Sequence, residues 1–297
     1  MGTNGDQNHR HHSGRTSMTK HSVTGWGGIP LFVQDIGPKD APAILLIHGW
    51  SQHHLSWTKQ LKSDLAKEFR LIAPDLRGHG ASGKPDEPEA YNHDRPWADD
   101  IAAIIDQLEL DAPLLVGWSM GGRVIGDYLT VHGDNEIAGV VMIGATGTGG
   151  ADAPPGAMAL RKPDANAEGT YSNDQATEIS SVIAFVRACS NKPLSKQDIA
   201  FHTALNMLCR PHIRKAARLR DYDHRPAYAT LTKPTMVIHG DAERLCVPPL
   251  FDQMVDALPE PLVHIYQGDG HMPFWESAER FNTDLAAFAR TVFGGNS

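Results

Sequence analysis

Residues 114–129 read LLVGWSMGGRVIGDYL. The run LLV is short and apolar, as a buried strand would be, and RVIGDYL carries helical spacing. Between them, Gly117-Trp118-Ser119-Met120-Gly121 fits the pattern G-x-S-x-G. On a sharp strand-to-helix turn the central serine is held in a strained conformation. Side chains at 117 and 121 would collide with neighbouring elements, so glycine is required there. Such a turn lifts the Ser119 hydroxyl clear of a sheet. It also sets the Met120 N–H at a helix N-terminus, where the dipole favours an oxyanion. A chance Gly-Ser turn lacks this strand-and-helix context.

Outward from this turn the chain alternates. AILLIHG (43–49), RLIAPDL (70–76), IAGVVMIGA (137–145), TMVIHG (235–240) and LVHIYQG (262–268) read as buried strands, as does PLLVGWS (113–119). WADDIAAIIDQLEL (97–110), GGRVIGDYLTVHG (121–133) and a last segment over 275–292 read as helices. Continuous apolar strands alternating with helices predict an α/β fold with a mostly parallel, doubly wound sheet. Residues 148–225 break the rhythm. Their opening, GTGGADAPPG (147–156), is Gly/Pro-rich; they carry helical segments and hold Phe185, Val186, Phe201, Leu205, Met207 and Leu208. That apolar content predicts an inserted helical cap rather than a structureless loop, with residues 21–147 and 226–297 forming the core.

Residues 1–20 hold almost no apolar side chains, so a disordered tail is expected. His9, His11 and His12 there read as solvated rather than metal-binding, and Met18 as an alternative start. Across 297 residues, 41% hydrophobic and 21% charged composition is ordinary for a globular chain. The net charge of −8 supplies no basic face for nucleic acid. No apolar run approaches the roughly 20 residues needed to span a bilayer, and no secretory signal is visible. Cys189, Cys209 and Cys246 are too few and too widely spaced for a disulfide framework or a zinc site, which points to reduced thiols in the cytoplasm. Neither a Rossmann fingerprint nor a P-loop is present, and no nucleotide or metal cofactor is expected.

A second oxyanion donor is needed beside Met120. Ile47-His48-Gly49-Trp50 ends an early strand, and its loop should swing over the elbow, offering the Trp50 N–H, with Gly49 letting backbone approach the substrate. Trp50, Trp57, Trp118 and Met120 are candidates to line an apolar acyl pocket, although Trp57 and Trp118 also read as core aromatics.

Taken together, HGW, APDLRGHGASG, GWSMGG, HGDAERLCVPP and GDGHMPFWESAERF resemble the α/β-hydrolase superfamily over nearly the whole chain. Within it they look like the serine esterase, acyl-homoserine-lactone hydrolase and cofactor-free perhydrolase group. The resemblance implies a partner set in the order serine, acid, histidine. His271, flanked by Gly268 and Gly270, takes the place of the base that a serine hydroxyl needs. Asp241 and Glu243 both follow the strand TMVIHG, and residue type alone leaves either as the acid. The family places its acid three residues past the glycine, which implies Glu243; Asp241 would then organise the loop. PDLRGHGASG at 74–83 reads as a tight loop without chemistry. Serine at the elbow excludes the aspartate-nucleophile dehalogenases and epoxide hydrolases, and HGWSQ does not match the HGGPG loop of proline-specific aminopeptidases. The expected activity is cleavage of a small ester or lactone, N-acyl-homoserine lactone being one candidate. Perhydrolysis or C–C bond hydrolysis by the same residues, and a non-catalytic binding module, are the alternatives.

Overall fold

The computed structural model describes residues 18–155 and 168–295. Eight strands form one sheet: β1 (Met18–Thr24), β2 (Pro30–Ile36), β3 (Ala43–Ile47), β4 (Arg70–Pro74), β5 (Leu114–Trp118), β6 (Gly139–Ile143), β7 (Thr235–Gly240) and β8 (Leu262–Tyr266). Their order is β1-β2-β4-β3-β5-β6-β7-β8. From β4 onward every pairing is parallel, while β1 and β2 form an antiparallel edge. The fold is therefore a mostly parallel α/β sheet, as the alternation predicts. Every residue of β3, β4, β5 and β6 is buried, which is why these strands read as unbroken apolar runs.

Among the described residues, the helices of eight or more residues are α1 (Asp94–Gln107), α2 (Met120–His132), α3 (Gln175–Ala188), α4 (Lys196–Met207), α5 (Pro211–Arg218), α6 (Pro248–Ala257) and α7 (Ala278–Gly294). The first two pack against each other. No described helix is long and apolar enough to cross a membrane.

The expected tail is corrected at its end. Residues 18–20 belong to β1, whose register runs from Met18 opposite Ile36 to Thr24 opposite Pro30. Only Val23 of this strand is buried, so backbone pairing rather than apolar alternation holds it, and composition did not reveal it. Residues 1–17, including His9, His11 and His12, lie outside the described residues.

Between β6 and β7 the chain makes the excursion containing α3, α4 and α5. A two-residue antiparallel pairing, Thr148–Gly149 with Tyr222–Asp223, ties its two ends together. Phe185, Val186 and Leu205 are buried, and Leu208 is exposed. A Ser195/Asp198 capping box opens α4 and Pro211 opens α5. Arg214, fully buried, anchors the excursion to the loop after β3. Its guanidinium bonds Glu178 at 2.7 Å and the Ser51 hydroxyl at 3.0 Å, and its carbonyl accepts the Trp50 indole N–H at 2.9 Å.

Candidate active site

Three connections at the C-terminal edge of the parallel strands supply the expected site residues, the place where open α/β sheets bind ligands. Ser119 follows β5 directly. Its backbone has φ +54° and ψ −113°, a region that costs a non-glycine residue energy. Its N–H is held by the Ile143 carbonyl at 2.8 Å. The flanking glycines are dictated by space. A Cβ on Gly117 would fall 2.5 Å from the Gly121 backbone, one on Gly121 would strike the Ile47 carbonyl, and one on Gly122 would strike Ala145.

His271 lies in the loop after β8. Its Nδ1 is 2.5 Å from Glu243 Oε2, and both side chains are almost fully buried. The other Glu243 oxygen accepts the N–H groups of Arg244 and Leu245, each at 2.7 Å. Burial alone would push the Glu243 carboxyl up. The adjacent His271 and these hydrogen bonds outweigh it, holding the acid below its ordinary value and ionised at neutral pH. Asp241 is exposed and accepts the Gly268 N–H at 2.6 Å, bracing the turn before His271.

Ser119, Met120, Trp50 and His271 line one cavity of about 340 Å³. Its walls include Phe185 and Leu219 from the excursion and Leu245 and Leu250 from the core. Two expected lining residues are elsewhere. Trp57 and Trp118 are core side chains packed on Phe274, with ring centroids 4.4 and 4.9 Å apart. Trp118 still serves the site, donating its indole N–H to the His271 carbonyl at 2.7 Å. A Cβ on Gly49 would lie 3.0 Å from the Trp118 ring, so packing behind the elbow also calls for glycine there.

Several supporting residues were not singled out from sequence. Gly144, at φ +52°, ends β6 beneath the acid–histidine pair; a Cβ there would lie 2.9 Å from His271 Nδ1 and 3.1 Å from Glu243 Oε2. Gly144→Ala is expected to displace that pair and lower kcat by up to about 10²-fold, measured on one ester with the fold checked by circular dichroism. Glu276 accepts the Gly270 N–H with one oxygen and the Asn191 and Lys192 N–H groups with the other, all at 2.8 Å. Together with the His271 N–H to Cys189 carbonyl bond of 3.0 Å, this pins the histidine loop to the end of α3.

The HGWS and PDLRGHGASG loops are one unit. His48 Nε2 accepts the Leu76 N–H at 3.0 Å, and His79 Nε2 accepts the Ser51 N–H at 3.1 Å. Asp75 accepts the His54 N–H and the Ala81 N–H, both at 2.8 Å. The loop of residues 74–83 thus shapes the turn that carries Trp50. His53, His54 and Asp75 come within 4.8 Å of one another, but Asp75 is occupied by these backbone donors and His53 Nδ1 by the Leu55 N–H.

An accepting ring nitrogen must stay unprotonated. Burial pushes His48 well below the ordinary histidine value and His79 down to about 4. For a group lowered on folding, the unfolded chain binds more protons, so stability falls as pH drops from 6.5 toward about 4. Each such histidine contributes about 1.4 kcal/mol per pH unit in that window. His79→Gln, which keeps an acceptor but does not titrate, is expected to make the fall of Tm with acidification shallower. An unchanged slope would remove His79 from the account.

Comparison with known proteins agrees with this architecture. A chain of Burkholderia cenocepacia, inferred to be an aryl esterase, has 32% identity and a TM-score of 0.86, covering 93% of this chain and all of its own. Esterase RhEst1 from a Rhodococcus species has 28% identity and a TM-score of 0.84 at the same coverage. The AB hydrolase superfamily protein YisY of Bacillus subtilis is 26% identical across 89% of this chain and 96% of its own. Non-heme chloroperoxidases and an N-acyl homoserine lactonase are among the further matches. Residues 44–284 match the alpha/beta hydrolase family, and the chain belongs to it.

Proposed function

We propose that the protein is a serine hydrolase that cleaves a carboxylic ester or lactone of a small, partly apolar substrate through an acyl-enzyme. The observation that carries this reading is the 2.5 Å contact of His271 Nδ1 with buried Glu243, beside a cavity that His271 shares with Ser119. Glu243 holds the imidazole with its proton on Nδ1, leaving Nε2 as the base. His271 takes the Ser119 proton as the hydroxyl oxygen attacks the carbonyl. The Met120 and Trp50 N–H groups hold the oxyanion. Protonated His271 then gives its proton to the leaving alcohol, and water repeats the cycle on the acyl-enzyme. In a lactone the alcohol stays tethered, as in the N-acyl-homoserine lactones. With hydrogen peroxide in place of water the same steps yield a peracid, a second reading that draws on the likeness to non-heme chloroperoxidases.

Residues 148–225 act in this reading as a cap that sets acyl-chain preference. The supports are Phe185, which packs edge-on to Trp50 with centroids 5.1 Å apart, and Leu219 in the cavity wall. Phe185→Ala is expected to shift the kcat/KM ratio of long over short acyl esters by about tenfold, measured on protein whose fold is checked by circular dichroism. An unchanged ratio would contradict the cap's role. The wider test is a panel of aryl esters, acyl lactones, and acetate with peroxide. Hydrolysis of aryl esters or lactones is expected, and failure on every ester and lactone would overturn the reading.

A further inference from the structure

The same cavity holds more positive charge than an apolar ester needs. Arg123, Arg218 and Arg220 line it together with Ser119 and His271, in a chain whose net charge is −8. Arg123 stands one turn into α2, its N–H 3.3 Å from the Ser119 carbonyl oxygen, so it shares the nucleophile's side of that helix. Arg123 and Arg220 are only 8% and 4% exposed. Both guanidiniums lie over the Tyr222 ring, 5.2 and 5.6 Å from its centroid.

Their compensation is incomplete. Arg123 donates to the Ala217 carbonyl at 2.5 Å. Arg220 donates one N–H to Asp127, a carboxylate that also takes His224 at 2.8 Å. Its Nε and Nη1 are buried without a hydrogen-bond partner. Asp221, the acid in the cavity wall, accepts the Ala151 N–H at 2.9 Å. Among the described residues, one carboxylate, Asp127, is hydrogen-bonded to this buried pair of guanidiniums. Burial and the neighbouring Arg220 push Arg123 down to about 10, so it stays a cation at neutral pH.

A buried donor left unmade is costly, and a guanidinium fork matches the two oxygens of a carboxylate. We propose that Arg123 and Arg220 form a carboxylate-binding subsite, so that the preferred substrate is an anionic ester or lactone carrying a free carboxylate besides its scissile carbonyl. This rests on the esterase reading of the cavity. A neutral substrate would leave the Arg220 donors unpaired, whereas a carboxylate would satisfy them and complete the charge balance.

The test compares matched pairs. Mono-p-nitrophenyl glutarate against p-nitrophenyl butyrate places the carboxylate on the acyl side; 4-acetoxybenzoate against 4-acetoxybenzamide places it on the leaving group. The wild-type enzyme is expected to favour the anionic member of at least one pair by about tenfold or more in kcat/KM, the order of a charge-assisted bond. Arg220→Gln and, separately, Arg123→Met should collapse that ratio. Arg123 has no carboxylate hydrogen-bonded to it, so its variant remains informative if loss of Arg220 from Asp127 prevents folding. No preference in either pair, or a preference that survives both replacements, overturns the subsite. Calorimetric binding of glutarate against glutaramide to Ser119→Ala protein separates the two failures. Tighter glutarate binding without turnover of any ester would keep the subsite and discard the esterase reading, whereas equal binding of the two probes would discard the subsite.

Discussion

Ser119→Ala is expected to lower kcat on any ester or lactone by about 10⁶ while leaving the fold intact. The size follows from the chemistry, because without a nucleophile no acyl-enzyme forms and His271 has no proton to take. The fold should survive because the elbow is shaped by Gly117, Gly121 and Gly122, whose neighbours leave no room for a Cβ, and not by the serine hydroxyl. Alanine at φ +54° keeps the same strain that serine carries. The measurement is kcat on one good ester, with Tm recorded beside it. Turnover near the wild-type rate in the purified variant would show that the elbow serine is not the nucleophile.

Glu243→Gln is expected to reduce kcat by about 10⁴, and Asp241→Asn by far less. The Glu243 carboxylate meets His271 Nδ1 with one oxygen and two backbone N–H groups with the other. An amide in its place can turn its NH₂ toward the ring and favour the tautomer with the proton on Nε2, where a base is needed. Asp241 accepts the Gly268 N–H in the turn ahead of the histidine, so its amide should loosen that turn and lower Tm modestly. Both variants should be assayed on the same ester, with folding followed by circular dichroism. The reverse ranking would move the acid's role to Asp241.

Much of the sheet and the turn at Ser119 was legible because their causes are local. A strand buried on both faces must be apolar throughout, and an elbow between a strand and a helix must have glycines at set offsets. His271 was legible through its glycines and its place near the end of the chain. Glu243 required family register, since two acids stand two residues apart. What stayed hidden depends on contacts distant in sequence. Gly144 is recognisable only once β6 lies under the His271–Glu243 pair, and Glu276 only once α3 ends beside the histidine loop. Strand β1 lacks an apolar pattern because most of its residues face solvent and only its backbone is paired. Trp118 reads equally as lining or core from sequence; packing on Phe274 decides it.

The central claim is that Ser119 is the attacking atom's residue and that His271 activates it. Covalent trapping addresses this without knowledge of the natural substrate. The protein is incubated with a fluorophosphonate, digested, and the adduct located by peptide mass spectrometry. One adduct on the peptide bearing Ser119 is expected, absent from Ser119→Ala and formed far more slowly in His271→Gln. An adduct on another residue, or labelling of the Ser119→Ala protein at the wild-type rate, would contradict the account.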